Sequence, residues 1–223
     1  MSLFVRVLLC VCLLSTFGLP IASGDDLSPP PWRGGPLSTV AEWDFLTPGA
    51  GPPDGTSIVP VIGNSGGGPL AIPGLGISWD PFDGTGAWIG QAPNGGTIGF
   101  EIPNWIDTEP IKFIQIQMTY SPNPAIPFPG VTFMSAFDPL GVAIAQTGVQ
   151  DFPLGGGTAL FQRIEQWEIR PNPDNEFFEI TIPPDTVLSQ VVVDTISVPE
   201  PSSAILAALG LVGLAAWGWR RKR

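Results

Sequence analysis

Glycine and proline interrupt this chain too often for long helices to form. Together, 28 Gly and 27 Pro take about a quarter of the 223 positions. Proline removes a backbone donor and glycine weakens regular structure, so only short elements fit between them. Their patterning identifies those elements. Ile114-Gln115-Ile116-Gln117-Met118-Thr119-Tyr120 alternates apolar and polar residues without error, as a strand with one buried face does. Similar runs occur at 40–46, 57–62, 72–79, 97–102, 131–137, 142–146, 160–170, 177–182 and 187–195. Turn clusters separate them: Pro-Pro-Asp-Gly at 52–55, Asn-Ser-Gly-Gly-Gly at 64–68, Asn-Gly-Gly at 94–96 and Pro-Asn-Pro-Asp-Asn at 171–175. No stretch there has a helical period. About ten short strands predict an all-β fold, an antiparallel β-sandwich or jelly roll over residues 37–197. Breakers at this density also occur in disordered chains, but residues 25–201 hold six Trp and eleven Phe, in clusters with β-branched residues. No solenoid or propeller period is present.

Both ends read as addresses. In residues 1–24, Arg6 precedes the apolar stretch Val7–Leu19, and Ala22-Ser23-Gly24 follows as a small-residue cleavage site. The apolar stretch is about 20 Å long as a helix, too short to span a bilayer comfortably, so it reads as a secretory signal peptide. A lipoprotein would need a Cys just after the cleavage box, whereas Cys10 and Cys12 lie inside the apolar run. These are the only cysteines, so the mature protein is expected to lack thiols and disulfides. The chain also has no His, which excludes His-based triads and His-ligated metals.

At the other end, a single transmembrane helix is predicted over 202–219, with an uncharged core at Ala204–Trp219. The cations Arg220, Arg221, Lys222 and Arg223 follow, a stop-transfer tail that holds this end in the cytoplasm and the domain outside. Trp217 and Trp219 stand where indoles suit the headgroup region. Immediately upstream lies Val198-Pro199-Glu200-Pro201-Ser202-Ser203. A Pro-Glu-Pro motif, a hydrophobic helix and an Arg-rich tail, in this order, resemble the C-terminus of PEP-CTERM proteins of Gram-negative bacteria. The resemblance covers residues 198–223. It implies sorting by an exosortase, a transpeptidase-like membrane enzyme, with Pro199, Glu200 and Pro201 as the recognition element. The same C-terminal motif is also labelled an ice-binding-protein C-terminal domain, although nothing in these residues supports ice binding. The two prolines hold an extended segment that an enzyme cleft can grip, and Glu200 offers one charge to read.

The segment between the two addresses is strongly acidic. Residues 25–201 hold all 20 acids but only four cations, Arg33, Lys112, Arg163 and Arg170. Nucleic-acid binding needs cationic stripes and is not expected, nor is adsorption to anionic lipid. Residues 25–36 read as an extended arm. A strand at 187–195 leaves Ile196-Ser197-Val198 as a tether reaching about 10 Å.

Candidate chemistry is sparse. Without His or Cys, hydrolysis could still use paired carboxylates. Glu165 and Glu168 fall on opposite faces of a strand, while Asp107/Glu109 and Asp174/Glu176 sit in turn-like contexts. A carboxylate-dependent hydrolase is therefore the least favoured reading, and no cofactor is expected. Asp80 and Asp83, in Trp79-Asp80-Pro81-Phe82-Asp83-Gly84-Thr85-Gly86, are a weak Ca²⁺ candidate that an ordinary turn explains better. Asp174, Asn175 and Glu176 are a weaker one. Six Trp offer faces for pyranose stacking. Trp43, Trp79 and Trp167 lie within strand-like runs and read as core, and Trp32 lies in the arm. Trp88 and Trp105 are the candidates for exposure and glycan contact. The expectation is an exported envelope protein, not an enzyme, with a structural, matrix or adhesion role at the cell surface. Its partners would be the membrane, an exosortase-like enzyme and extracellular polysaccharide. A carbohydrate-binding module is the alternative.

Overall fold

The alternating run at 114–120 lies within the central part of the larger of two sheets. The computed structural model describes residues 27–58, 68–81, 86–105, 109–134, 143–155, 159–173 and 175–198. Twelve strands cover them: β1 (Ser38–Trp43), β2 (Ser57–Ile58), β3 (Leu70–Pro73), β4 (Ile77–Asp80), β5 (Ala87–Gly90) and β6 (Gly96–Pro103), then β7 (Ile111–Ser121), β8 (Val131–Phe133), β9 (Ala143–Pro153), β10 (Phe161–Arg170), β11 (Asn175–Ile182) and β12 (Val187–Val198). There is no helix among the described residues. The large sheet runs β2-β1-β12-β7-β10-β9, with the β4–β5 hairpin joined to β12 through β5. The small sheet runs β3-β6-β11-β8. All strand pairings are antiparallel.

The two sheets share one core, and parity decides which residues enter it. On β7 the even residues Ile114, Ile116, Met118 and Tyr120 point inward, and on β11 Phe178, Ile180 and Ile182 do the same. Trp43 of β1 meets Phe100 of β6 edge-on across the interior at 5.0 Å, and Phe100 stacks on Phe178 at 5.1 Å. Near the other edge, Phe133 of β8 packs edge-on against Trp167 of β10 at 4.9 Å. Each such pair contributes about 0.5–1.5 kcal/mol beyond the area it buries.

Several boundaries differ from the sequence reading. The run at 72–79 is not one strand, because β3 ends at Pro73 in the small sheet and β4 begins at Ile77 in the large one. Gly76 makes the crossing possible: its φ is +79°, and a Cβ there would lie 2.0 Å from the Gly95 carbonyl. The turn-like residues Gly148 and Asp151 hid most of β9, which continues through them with a register shift opposite Gln166 and Trp167. Ser197 and Val198 pair with Lys112 and Ile111, so the expected three-residue tether is the end of β12 instead.

The N-terminal arm is not extended. Successive turns link Arg33 N–H to the Pro30 carbonyl, Gly35 N–H to Trp32 and Ser38 N–H to Gly35. It folds back because the outer face of the large sheet offers it partners. The signal segment 1–24, the Pro199-Glu200-Pro201 motif, the helix predicted at 202–219 and the basic tail 220–223 lie outside the described residues.

Candidate functional site

Alternation along a strand sends polar side chains to both faces of a sheet, and three polar centres result. The first lies on the outer face of the large sheet. Gln115 and Gln117, two residues apart on β7, present their amides side by side. Gln117 Oε1 accepts from Ser28 N–H at 3.2 Å, and Gln115 Nε2 donates to the Ser28 carbonyl at 2.8 Å. The two side chains thus read one backbone unit of the arm as a neighbouring strand would. Gln166 and Gln162 of β10 support them, donating to Gln115 Oε1 at 3.0 Å and Gln117 Oε1 at 3.3 Å. Arg33 adds a two-pronged ion pair to Asp194 of β12.

The second centre spans β9 and β10. Arg163 donates from Nε and Nη2 to both oxygens of Asp151, at 2.8 and 2.9 Å, and from Nη1 to the Phe128 carbonyl at 2.8 Å. The bidentate guanidinium holds the Asp151 carboxyl below its ordinary range. Tyr120 stacks on Phe128 at 4.2 Å and donates to Asp151 Oδ1 at 3.2 Å. Burial, reinforced by the Asp151 charge, pushes its phenol up to about 12. Glu165 is buried beside them. Its Oε1 accepts from Val131 N–H at 3.3 Å and its Oε2 from Gln146 Nε2 at 3.0 Å, with Arg163 Nη1 3.7 Å away. Desolvation outweighs these contacts and raises the Glu165 carboxyl above its ordinary value.

The third centre sits between the sheets where β12 ends. Lys112 occupies an inward position on β7, and Glu176 occupies one on β11 opposite Ile102. Neither is exposed, and Lys112 Nζ lies 3.4 Å from Glu176 Oε1. Asn104, fully buried just past β6, donates from Nδ2 to the same Oε1 at 2.6 Å and to the Pro173 carbonyl at 2.7 Å. Asn104 Oδ1 and Glu176 Oε2 are buried without a hydrogen-bond partner. Burial raises the Glu176 carboxyl, against the pull of the Lys112 charge and the Asn104 amide.

The residues singled out from sequence fall elsewhere. Trp88 is a correction: it is only 6% exposed, because β5 pairs with β12 and sets it opposite Leu188 in the core. Trp105 is half-buried and donates from its indole N–H to the Ser38 carbonyl at 3.1 Å. The two lie near opposite ends of β12, about 25 Å apart at strand rise, so they form no joint platform. Trp43 is core, while Trp79 and Trp167 pack half-buried against it. Asp80 is exposed at the end of β4, and Asp83, Asp107 and Asp174 lie outside the described residues. Among the described residues no three His, Cys, Asp or Glu gather to hold a metal ion. Glu165 points inward, whereas Glu168 pairs with Arg170. Sequence reasoning missed Lys112, Asn104 and Glu176 as a group. For two of them a signal existed, since each continues an apolar alternation on the inward parity.

Residues 197–222 match the PEP-CTERM protein-sorting motif. No curated protein and no solved structure matches the chain.

Proposed function

We propose that this chain is an exported cell-envelope protein, held at the membrane by a C-terminal helix until an exosortase processes it at Pro199-Glu200-Pro201. Its body, read as a β-sandwich, then serves a structural, matrix or adhesion role and is not an enzyme. The sorting-motif match at 197–222 carries this reading, and it implies an exosortase-sorted surface protein. The fold supports the finer part. Because β12 pairs through Val198 inside the sheet, no slack separates the body from the motif, and the domain would rest close to the membrane surface.

The charge distribution points the same way. Each of the four cations in the described body is engaged with a carboxylate: Arg33 with Asp194, Lys112 with Glu176, Arg163 with Asp151, and Arg170 with Glu168. The acids left over give an anionic exterior suited to solubility outside the cell and poorly suited to anionic lipid or nucleic acid.

Intact mass of the protein recovered from its own cells tests the reading. It should show loss of residues 1–24 and of the segment after the motif. A Glu200→Ala chain should keep its tail and stay in the inner membrane. Unaltered processing of that variant would falsify the sorting assignment.

A further inference from the structure

We propose that Lys112 and Asn104 are joined by an intramolecular amide bond, formed in the folded chain with Glu176 as the acid–base catalyst. The three side chains have the parts this reaction needs and no solvent to compete. Lys112 supplies an amine, Asn104 a carboxamide carbon, and Glu176 a carboxyl whose Oε1 reaches both nitrogens, at 3.4 and 2.6 Å. All three are buried. Holding nucleophile and electrophile on one oxygen replaces an encounter in solution with a positioned pair. Desolvation favours a neutral, nucleophilic amine over an ammonium, and it keeps out the water that would hydrolyse the amide instead.

The step balances without any co-reactant. Glu176 takes a proton from the Lys112 ammonium, and the freed lone pair on Nζ forms a bond to Asn104 Cγ. The carbonyl electrons move onto Oδ1, which has no hydrogen-bond partner in the resting arrangement. As they return, the Cγ–Nδ2 bond breaks and Glu176 passes its proton to the departing nitrogen. One C–N bond forms and one breaks, and nothing is oxidised or reduced. The nitrogen of Asn104 leaves as ammonia and carries off the remaining proton as ammonium. A carboxyl raised by burial holds a proton readily between these two transfers.

The bond would tie β6 of the small sheet to β7 of the large one, at the end where the chain departs toward residues 199–201. The only cysteines, Cys10 and Cys12, lie in the segment 1–24, so no disulfide within the body can do so.

Mass spectrometry of the denatured wild-type chain decides the matter. The linked protein should weigh one ammonia less than its sequence. Trypsin should leave residues 34–163 as one peptide, because an amidated Lys112 is no longer a cleavage site. Cleavage into 34–112 and 113–163 with the full sequence mass would overturn the proposal. Loss of water instead of ammonia would also overturn it, since it would place the bond on Glu176. Lys112→Arg should restore the full mass and cleavage at 112. Glu176→Gln should abolish the ammonia loss in folded protein, and undiminished linkage there would remove Glu176 from the reaction. The wild-type measurement holds whether or not either variant folds.

Discussion

Arg33 grips both carboxylate oxygens of Asp194 across 161 residues of sequence. Asp194 has no solvent exposure and Arg33 keeps 19%, so the arm's guanidinium closes over a carboxylate that the sheet has already buried. Replacing Arg33 with Ala would strip both oxygens of that partner. Breaking a buried pair costs about 3 kcal/mol, toward the lower end because Arg33 retains some water. Lys at this position should recover part of the loss, since an ammonium cannot bond in the same fork. Urea unfolding of the three proteins checks the order, and faster proteolysis near residues 27–37 in Arg33→Ala would show the arm released.

Gly130 should accept a side chain only at a cost in stability. Its φ is +83°, and a Cβ there would fall 1.9 Å from Glu165 Oε1. Left-handed backbone alone costs an L-residue about 1–2 kcal/mol. Gly130→Ala also forces Glu165 away from Val131 N–H, so its melting temperature should fall by several degrees. An unchanged melting temperature would contradict the close approach.

Glu165 gives stability a definite pH slope. Its carboxyl is raised from an ordinary value of 4.5, so the folded state holds this proton more tightly than the unfolded state does. Stability from this group is therefore complete below 4.5 and declines as pH rises above it. Asp151 works in the opposite sense. Its carboxyl is lowered, so its contribution is present above its ordinary value of 3.8 and fades as pH falls. Glu165→Gln should lessen the decline above 4.5, to which the likewise raised Glu176 also contributes, while leaving the acid limb in place. Thermal unfolding across the acid-to-neutral range measures both limbs.

Tyr120 is the only tyrosine, so an ultraviolet titration of the folded protein reports on it alone. The phenolate band should appear near pH 12 and not near 10. Asp151→Asn removes a raising charge and leaves Arg163 to favour the phenolate, so the midpoint should move down toward 10. Titration of native protein at the ordinary value would argue against burial beside Asp151.

Strand β9 should be the least protected long strand. It is an edge of the large sheet, pairs with β10 alone among the described strands, and is exposed along nearly all its length. Amide exchange across 143–153 should outpace that of β7 and β12, which are paired on both sides.

Much of the body was legible in the sequence for a simple reason: side-chain direction in a strand has a period of two. The runs at 114–120 and 177–182 announced their buried faces, and Gly, Pro, Asn and Asp marked most turns. Parity even carried a signal that a charge lay inward, because Lys112 continues the series Ile114, Ile116, Met118, and Glu176 continues Phe178, Ile180, Ile182. Local pattern failed where backbone geometry departs from local preference. Gly76 lets the chain cross between sheets within what reads as one strand, and β9 runs through residues that look like a turn. Trp88 was misread for a related reason, since flanking glycines suggest a loop until β12 supplies the partner strand that buries it.

The amino-acid order alone determined most of the strands, the acidic balance and the sorting signal, because each can be read along the chain. Only the folded structure decided which distant residues meet. Arg33 and Asp194, or Lys112, Asn104 and Glu176, come together through the register of one sheet against the other. No local period encodes that register, because it is settled by the packing of the whole core.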